Sequence, residues 1–238
     1  SLRQHLDLYL SDQPRQGRPL IVFVHGGAWS HGHKQDYRFV GDAFACEGYD
    51  VAIINYHLAP THIFPTSVDD LALALNYLHA QQQQLEIVTQ NIILMGHSAG
   101  AFNVMSVLYS AQAYDLACRE QIRAVIGLAG PYHFDYKDDP LCADAFDQQI
   151  HYAQVMPYYF VEKNAVRHYL FVAANDKIVH PNNAIDFDRA LRAIGNHSEI
   201  INIARTGHIS LMGSVARLFS RYFSTKKQIL AALERALG

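Results

Sequence analysis

The sequence predicts an α/β fold: a mostly parallel central sheet with helices on both faces and a short insertion over its carboxyl edge. Three observations predict it. Short β-branched or apolar runs recur along the chain, helix-length stretches separate most of them, and 50% of residues are hydrophobic against 17% charged. The alternation implies crossover connections, which join parallel strands. The composition excludes disorder, a coiled coil and a highly charged adaptor. At 238 residues, 1–238 reads as one domain, long enough to bury about 70% of its unfolded surface without staples.

Strands are expected at 20–24, 51–55, 91–95, 124–128, 168–173 and 199–203, where the apolar runs are short and bounded by turn residues. Leu6, Leu8 and Leu10 alternate with polar or aromatic partners and suggest an antiparallel edge strand. Helices are expected at 67–79, where Val68, Leu71, Leu75 and Leu78 fall at helical spacing, and at 101–110. A third, 181–193, opens on a proline and meets Gly195, and 210–222 and 225–237 close the chain. Residues 131–166 carry no long periodic segment, only turn signals at Asp138-Asp139-Pro140 and an aromatic run, Tyr152, Tyr158, Tyr159 and Phe160. That stretch reads as a cap-like insertion at the sheet's carboxyl edge, its aromatics either pocket wall or core.

Nineteen Lys plus Arg against 22 Asp plus Glu leave a net charge of −3, with no block of either sign, so no nucleic-acid partner is expected. Cys46, Cys118 and Cys142 are odd in number and far apart, which fits small buried hydrophobes and neither a disulfide framework nor a thiolate zinc site. No apolar run approaches the ~20 residues that span a bilayer. The chain opens on Ser1-Leu2-Arg3, without an initiating Met or an apolar leader, and reads as starting at a processing boundary. The cytoplasm is the default expectation for compartment, with export after removal of a secretion signal as the alternative.

Gly96-His97-Ser98-Ala99-Gly100 follows one predicted strand and precedes a helix. Small flanking residues allow a tight strand-to-helix turn that holds Ser98 clear of the sheet, with the helix N-terminus adding positive potential. The pattern should arise by chance only about 0.08 times in a chain of this length, so it is moderately specific alone. His25-Gly26-Gly27-Ala28-Trp29 follows an earlier strand. Backbone N–H groups of such a loop can approach a developing negative oxygen, because no side chain intervenes.

These two segments, with Asn55-Tyr56-His57-Leu58-Ala59-Pro60, Phe64-Pro65 and Asp70 between them, resemble the α/β-hydrolase superfamily over about the whole chain. The nearest branches are the hormone-sensitive-lipase-like esterases and the kynurenine formamidase-like enzymes. The chain departs from the lipase-like pattern at Ala28, where a third glycine is usual, and at His57, where an arginine is usual. The resemblance implies that Gly27, Ala28 and Ala99 donate their N–H groups to an oxyanion. His25 is expected to tie its loop down by hydrogen bonding.

A nucleophilic serine needs a base, and the base an orienting carboxylate; the chain order expected for this fold is Ser, acid, His. Asp176 stands in the loop after a strand, whereas Asp186 and Asp188 fall in a predicted helix and Asp138 and Asp139 in the insertion. His208 lies in a tight loop after the last strand; His180 follows Asp176 too closely, and His197 precedes a strand. His25, His31 and His33 are close in sequence but lack helical pairing and a Glu partner, so no metal is expected. Trp29, His97 and Tyr132 are candidate substrate contacts, with simple packing as the other reading of Trp29.

The expectation is therefore a serine esterase for small or medium acyl esters. Ser98 would be the nucleophile, His208 the base and Asp176 its orienter, with a small-molecule ester as partner and no cofactor. An arylformamidase would use the same groups, and a binding protein on this fold would have no use for them. With no long amphipathic helix to act as a mobile lid, a fixed, aromatic-walled pocket is expected.

Overall fold

The computed structural model describes residues 3–238. Seven strands form one sheet: β1 (Leu6–Tyr9), β2 (Leu20–Val24), β3 (Asp50–Ile54), β4 (Ile92–His97), β5 (Ile122–Leu128), β6 (Arg167–Ala173) and β7 (His197–Ile203). Their spatial order is β1-β3-β2-β4-β5-β6-β7. β1 pairs antiparallel with β3, Leu6 opposite Ile54, and every other pair is parallel. This is the architecture predicted, edge strand included; Leu10 falls just beyond β1 and is exposed.

Side chains alternate across the strands, so the sheet divides two apolar layers. Val22, Val24, Leu94, Val125 and Leu170 pack against α2 (Thr66–Ala80), α3 (Ala99–Ser106) and α4 (Asn182–Ala193). Ile21, Phe23, Ile53, Met95, Ile126 and Phe171 pack against α1 (Arg38–Ala45), α5 (His208–Gly213) and α6 (Thr225–Leu237). Among the described residues no helix is long and apolar enough to cross a membrane.

Two helices differ from the expectation. The helix predicted at 210–222 is α5, which ends at Gly213, followed by turns. Leu218, Phe219 and Tyr222 are exposed, so no apolar face rewards continuing the helix. The Ser214 hydroxyl bonds back to the Leu211 carbonyl and to Thr225 Oγ1, which turns the chain toward α6. Conversely, α1 is not among the predicted helices: its buried residues Val40, Ala43 and Phe44 fall at helical spacing, but the helix has only eight residues and holds Gly41. A Cβ there would overlap the Tyr9 ring. Between β5 and β6 the chain forms three 3₁₀ turns, Ala143–Ala145, Tyr152–Gln154 and Pro157–Phe160. The loops carrying the predicted site residues all leave the carboxyl ends of parallel strands, where open α/β sheets bind ligands.

Candidate active site

Ser98 stands between β4 and α3 with φ 54° and ψ −120°, a conformation costing about 1–3 kcal/mol in a non-glycine residue. The flanking glycines make the turn possible. A Cβ on Gly96 would overlap the Gly100 carbonyl, and one on Gly100 would overlap the carbonyl of Val24. The Ser98 N–H donates to the Leu128 carbonyl at 2.8 Å, tying the turn to the end of β5.

His208 opens α5, and its Nε2 lies 2.8 Å from Ser98 Oγ. Its Nδ1 lies 2.9 Å from Asp176 Oδ2. A carboxylate only accepts, so Nδ1 carries the proton and Nε2 offers its lone pair to the serine hydroxyl. The other Asp176 oxygen accepts the N–H groups of Ile178 and Val179, both at 2.9 Å. Three bonds thus fix a side chain that is only 2% exposed. Two carboxylates set aside in favour of Asp176 lie elsewhere: Asp188 pairs with Arg192 along α4, and Asp186 with His133.

Gly27 has φ 127°, and a Cβ there would overlap the His31 carbonyl, so only glycine fits. Ala28 follows at φ 49°. Among the described residues the N–H groups of Gly27, Ala28 and Ala99 have no protein acceptor. All three residues border the same space as Ser98, or adjoin it at the first turn of α3. Beneath the loop, His25 is fully buried, and its Nδ1 bonds the Gly26 carbonyl at 2.8 Å. Burial pushes its pKa down to about 4. His33 instead caps the Lys34–Tyr37 turn, accepting the Gln35 N–H. Among the described residues no three metal-ligating side chains gather.

Of the three candidate substrate contacts, only His97 borders the cleft. Trp29 has φ 58°, which turns its side chain into the core; its indole donates to Asn103 at 3.0 Å and packs edge-on against Phe102 and Phe146. Tyr132 is 1% exposed, stacked on Phe187 over Gly127 and Gly130, which leave room for its ring. Both side chains are buried in the core and neither lines the cleft; burial is what a large ring gains most from.

The cleft above Ser98 has a volume of about 530 Å³. Its wall is mixed and not simply aromatic as expected: Leu141 is the insertion residue that lines it, together with Ile178, Ile209 and Met212 and the rings of Tyr37 and Phe39. Tyr152, Tyr158, Tyr159 and Phe160 do not reach it. Leu141, Ile178 and Ile209 are 56%, 51% and 74% exposed, so the rim is open and apolar. The sequence reading missed these lining residues. The two isoleucines next to the acid and the base, apolar in otherwise polar loops, were the available signal. A larger groove, about 870 Å³, lies between β1 and α2 and is lined by none of the predicted site residues.

The fold and this arrangement of side chains define an α/β-hydrolase. Residues 6–191 match the BD-FAE family model, and the chain belongs to that family. It is 30% identical over 139 residues to a probable isoprenylcysteine alpha-carbonyl methylesterase of Oryza sativa subsp. japonica, covering 56% of this chain and 34% of that protein. It is 26% identical over 130 residues to the kynurenine formamidase of Drosophila melanogaster, covering 55% and 43%. The chain thus spans between about a third and under half the length of these two curated relatives. Among solved structures, a truncated carbohydrate esterase from gut microbiota superposes with a TM-score of 0.79 at 16% identity, over 100% of this chain and 93% of that one. At that identity the likeness speaks for the fold.

Proposed function

We propose that the chain is a carboxylic ester hydrolase that works through a covalent acyl-serine. The observation that carries the reading is the unbroken hydrogen-bonded line from Asp176 through His208 to Ser98, at the floor of an open cleft. Ser98 Oγ forms a bond to the ester carbonyl carbon as its proton passes to His208 Nε2. The carbonyl oxygen becomes negative and takes hydrogen bonds from the N–H groups of Gly27, Ala28 and Ala99, each worth about 3 kcal/mol in the transition state. Collapse breaks the bond to the alcohol oxygen, which leaves with the proton held on Nε2. A water then gives a proton to the same nitrogen, attacks the acyl carbon, and the acid departs as Ser98 regains its hydrogen. Asp176 holds the imidazole in the one tautomer that serves both steps.

Names among the relatives, methylesterase and kynurenine formamidase, support hydrolysis at a carbonyl and differ in leaving group. The test is a panel of chromogenic esters from acetate to palmitate with a formanilide included. Cleavage of short and medium acyl esters is expected. A formanilide cleaved in preference to every ester would assign the chain to formamide hydrolysis, and cleavage of none would end the hydrolase reading.

A further inference from the structure

The cleft wall holds a second line of hydrogen bonds, which touches no reacting atom. The Gly26 N–H donates to Tyr37 Oη at 3.2 Å, Tyr37 Oη lies 3.1 Å from His97 Nδ1, and His97 Nε2 lies 3.1 Å from the backbone carbonyl of His208. Its direction follows from chemistry. A carbonyl only accepts, so Nε2 must carry hydrogen. Burial, with His208 as a smaller cause, lowers the His97 pKa to about 4, so near neutral pH the ring is uncharged and Nδ1 is a bare acceptor. Tyr37 therefore donates its hydroxyl hydrogen to His97 while accepting from Gly26, and each link has one polarity only.

The three ends of this line are the three parts of the site. Gly26 precedes the oxyanion loop, His97 precedes Ser98, and His208 is the base itself. These segments leave the ends of β2, β4 and β7. β2 and β4 are neighbours, but β5 and β6 separate β4 from β7, so the sheet ladder does not join the elbow to the base directly. Packing fixes the Tyr37 ring, which lies on Phe23 at 5.2 Å and stacks near Phe39 at 6.0 Å. The elbow leaves no slack either, since a Cβ on Gly26 would sit 2.9 Å from the His97 carbonyl and 3.1 Å from Ser98 Cβ.

We propose that Tyr37 and His97 are positioning residues, a single brace that sets the oxyanion loop and the base in register with Ser98. The proposal rests on the ester-hydrolase reading above. Displacement of reacting groups by about 1 Å can lower turnover by up to about a hundredfold without changing substrate affinity, so the brace should act on kcat rather than KM.

The test compares the parent chain with Tyr37→Phe, His97→Gln and His97→Leu on a short-chain nitrophenyl ester, and times inactivation by a serine-directed phosphonate. Tyr37→Phe keeps the packed ring and loses only the hydroxyl. Its kcat should fall about fivefold or more with KM within about threefold, and phosphonylation should slow by a similar factor. His97→Gln keeps an N–H that can reach the His208 carbonyl and should retain more kcat than His97→Leu. A hydroxyl that only stabilises the fold would lower Tm while leaving kcat per phosphonate-titrated site within fivefold of the parent, and that result overturns the brace. So does equal loss in the Gln and Leu variants. A parent chain that neither cleaves esters nor takes up phosphonate overturns the underlying reading, which is a separate failure from an active parent with an indifferent Tyr37→Phe.

Discussion

Asn175 donates its backbone N–H to the carbonyl of Thr206 at 2.8 Å. The residue before the candidate acid is thereby tied to the loop that ends in the candidate base, and the neighbouring Ala174 N–H bonds the Ile203 carbonyl. The Asp176–His208 distance is therefore set by backbone as well as by side chains. Because β6 and β7 are parallel neighbours, loops that leave their carboxyl ends can meet in this way.

Asp176→Asn should lower kcat by about 10³-fold or more, because an amide that offers N–H to Nδ1 favours the wrong imidazole tautomer. Asp188→Asn should leave activity near the parent value, since Asp188 only pairs with Arg192 along α4. Steady-state rates of the two variants check both statements, and the reverse ranking would mean that a different carboxylate serves His208.

The glycines of the elbow give a stability prediction. Gly100→Ala forces a Cβ into the backbone carbonyls of Val24 and His25, neither of which can yield without distorting β2. A loss of about 3 kcal/mol or more is expected. Urea unfolding of purified Gly100→Ala, or failure to recover it in soluble form, checks this.

Acid should destabilise the fold through its buried histidines. Burial is the largest cause that lowers the pKa of His25, His97 and His168, each to about 4 from an ordinary value of 6.5. The unfolded chain thus binds protons that the folded chain refuses. Stability is fully present above about pH 6.5 and is lost as pH falls toward 4, at about 1.4 kcal/mol per pH unit for each histidine. Urea midpoints between pH 7 and pH 4 measure the slope, and His168→Gln, far from Ser98 in sequence and bonded to Tyr109, should flatten it.

Much of this molecule was legible in the sequence, for identifiable reasons. Strand runs such as Leu20–Val24 are buried on both faces and leave an unbroken apolar signature. Gly96 and Gly100 are dictated by contacts within a few residues of Ser98 or across one strand, so the elbow is a local motif. Asp176 and His208 emerged from their place after strands, a consequence of parallel topology. Spacing left Trp29 open between pocket and packing and offered Tyr132 as a contact; which way each ring points depends on positive φ at Trp29 and on space above Gly127, neither of which spacing encodes. Tyr37 was missed altogether. The role proposed for it depends on three loops meeting, and no periodicity records that.

The open aliphatic rim sets an expectation for substrates. Each acyl methylene that lies against Leu141, Ile178 or Ile209 contributes about 0.8 kcal/mol of burial until the wall ends. The ratio kcat/KM should rise from acetate and turn over by roughly six acyl carbons, where further methylenes remain in water. Rates measured below and above each ester's solubility limit check this. A maximum at palmitate, with a jump as emulsion forms, would mean that the rim engages a lipid surface.

The proposed chemistry turns on covalent acylation of Ser98. The most direct measurement is intact-mass and peptide mapping after exposure to a chromogenic phosphonate, with ester cleavage followed in parallel. One phosphonyl group per chain is expected, on the peptide containing Ser98, appearing at the rate at which activity disappears. A folded Ser98→Ala variant should take up no adduct, and its turnover should be lower by about 10³-fold or more. Ester cleavage that survives in Ser98→Ala, or that persists in the parent chain after Ser98 is fully phosphonylated, would contradict that chemistry.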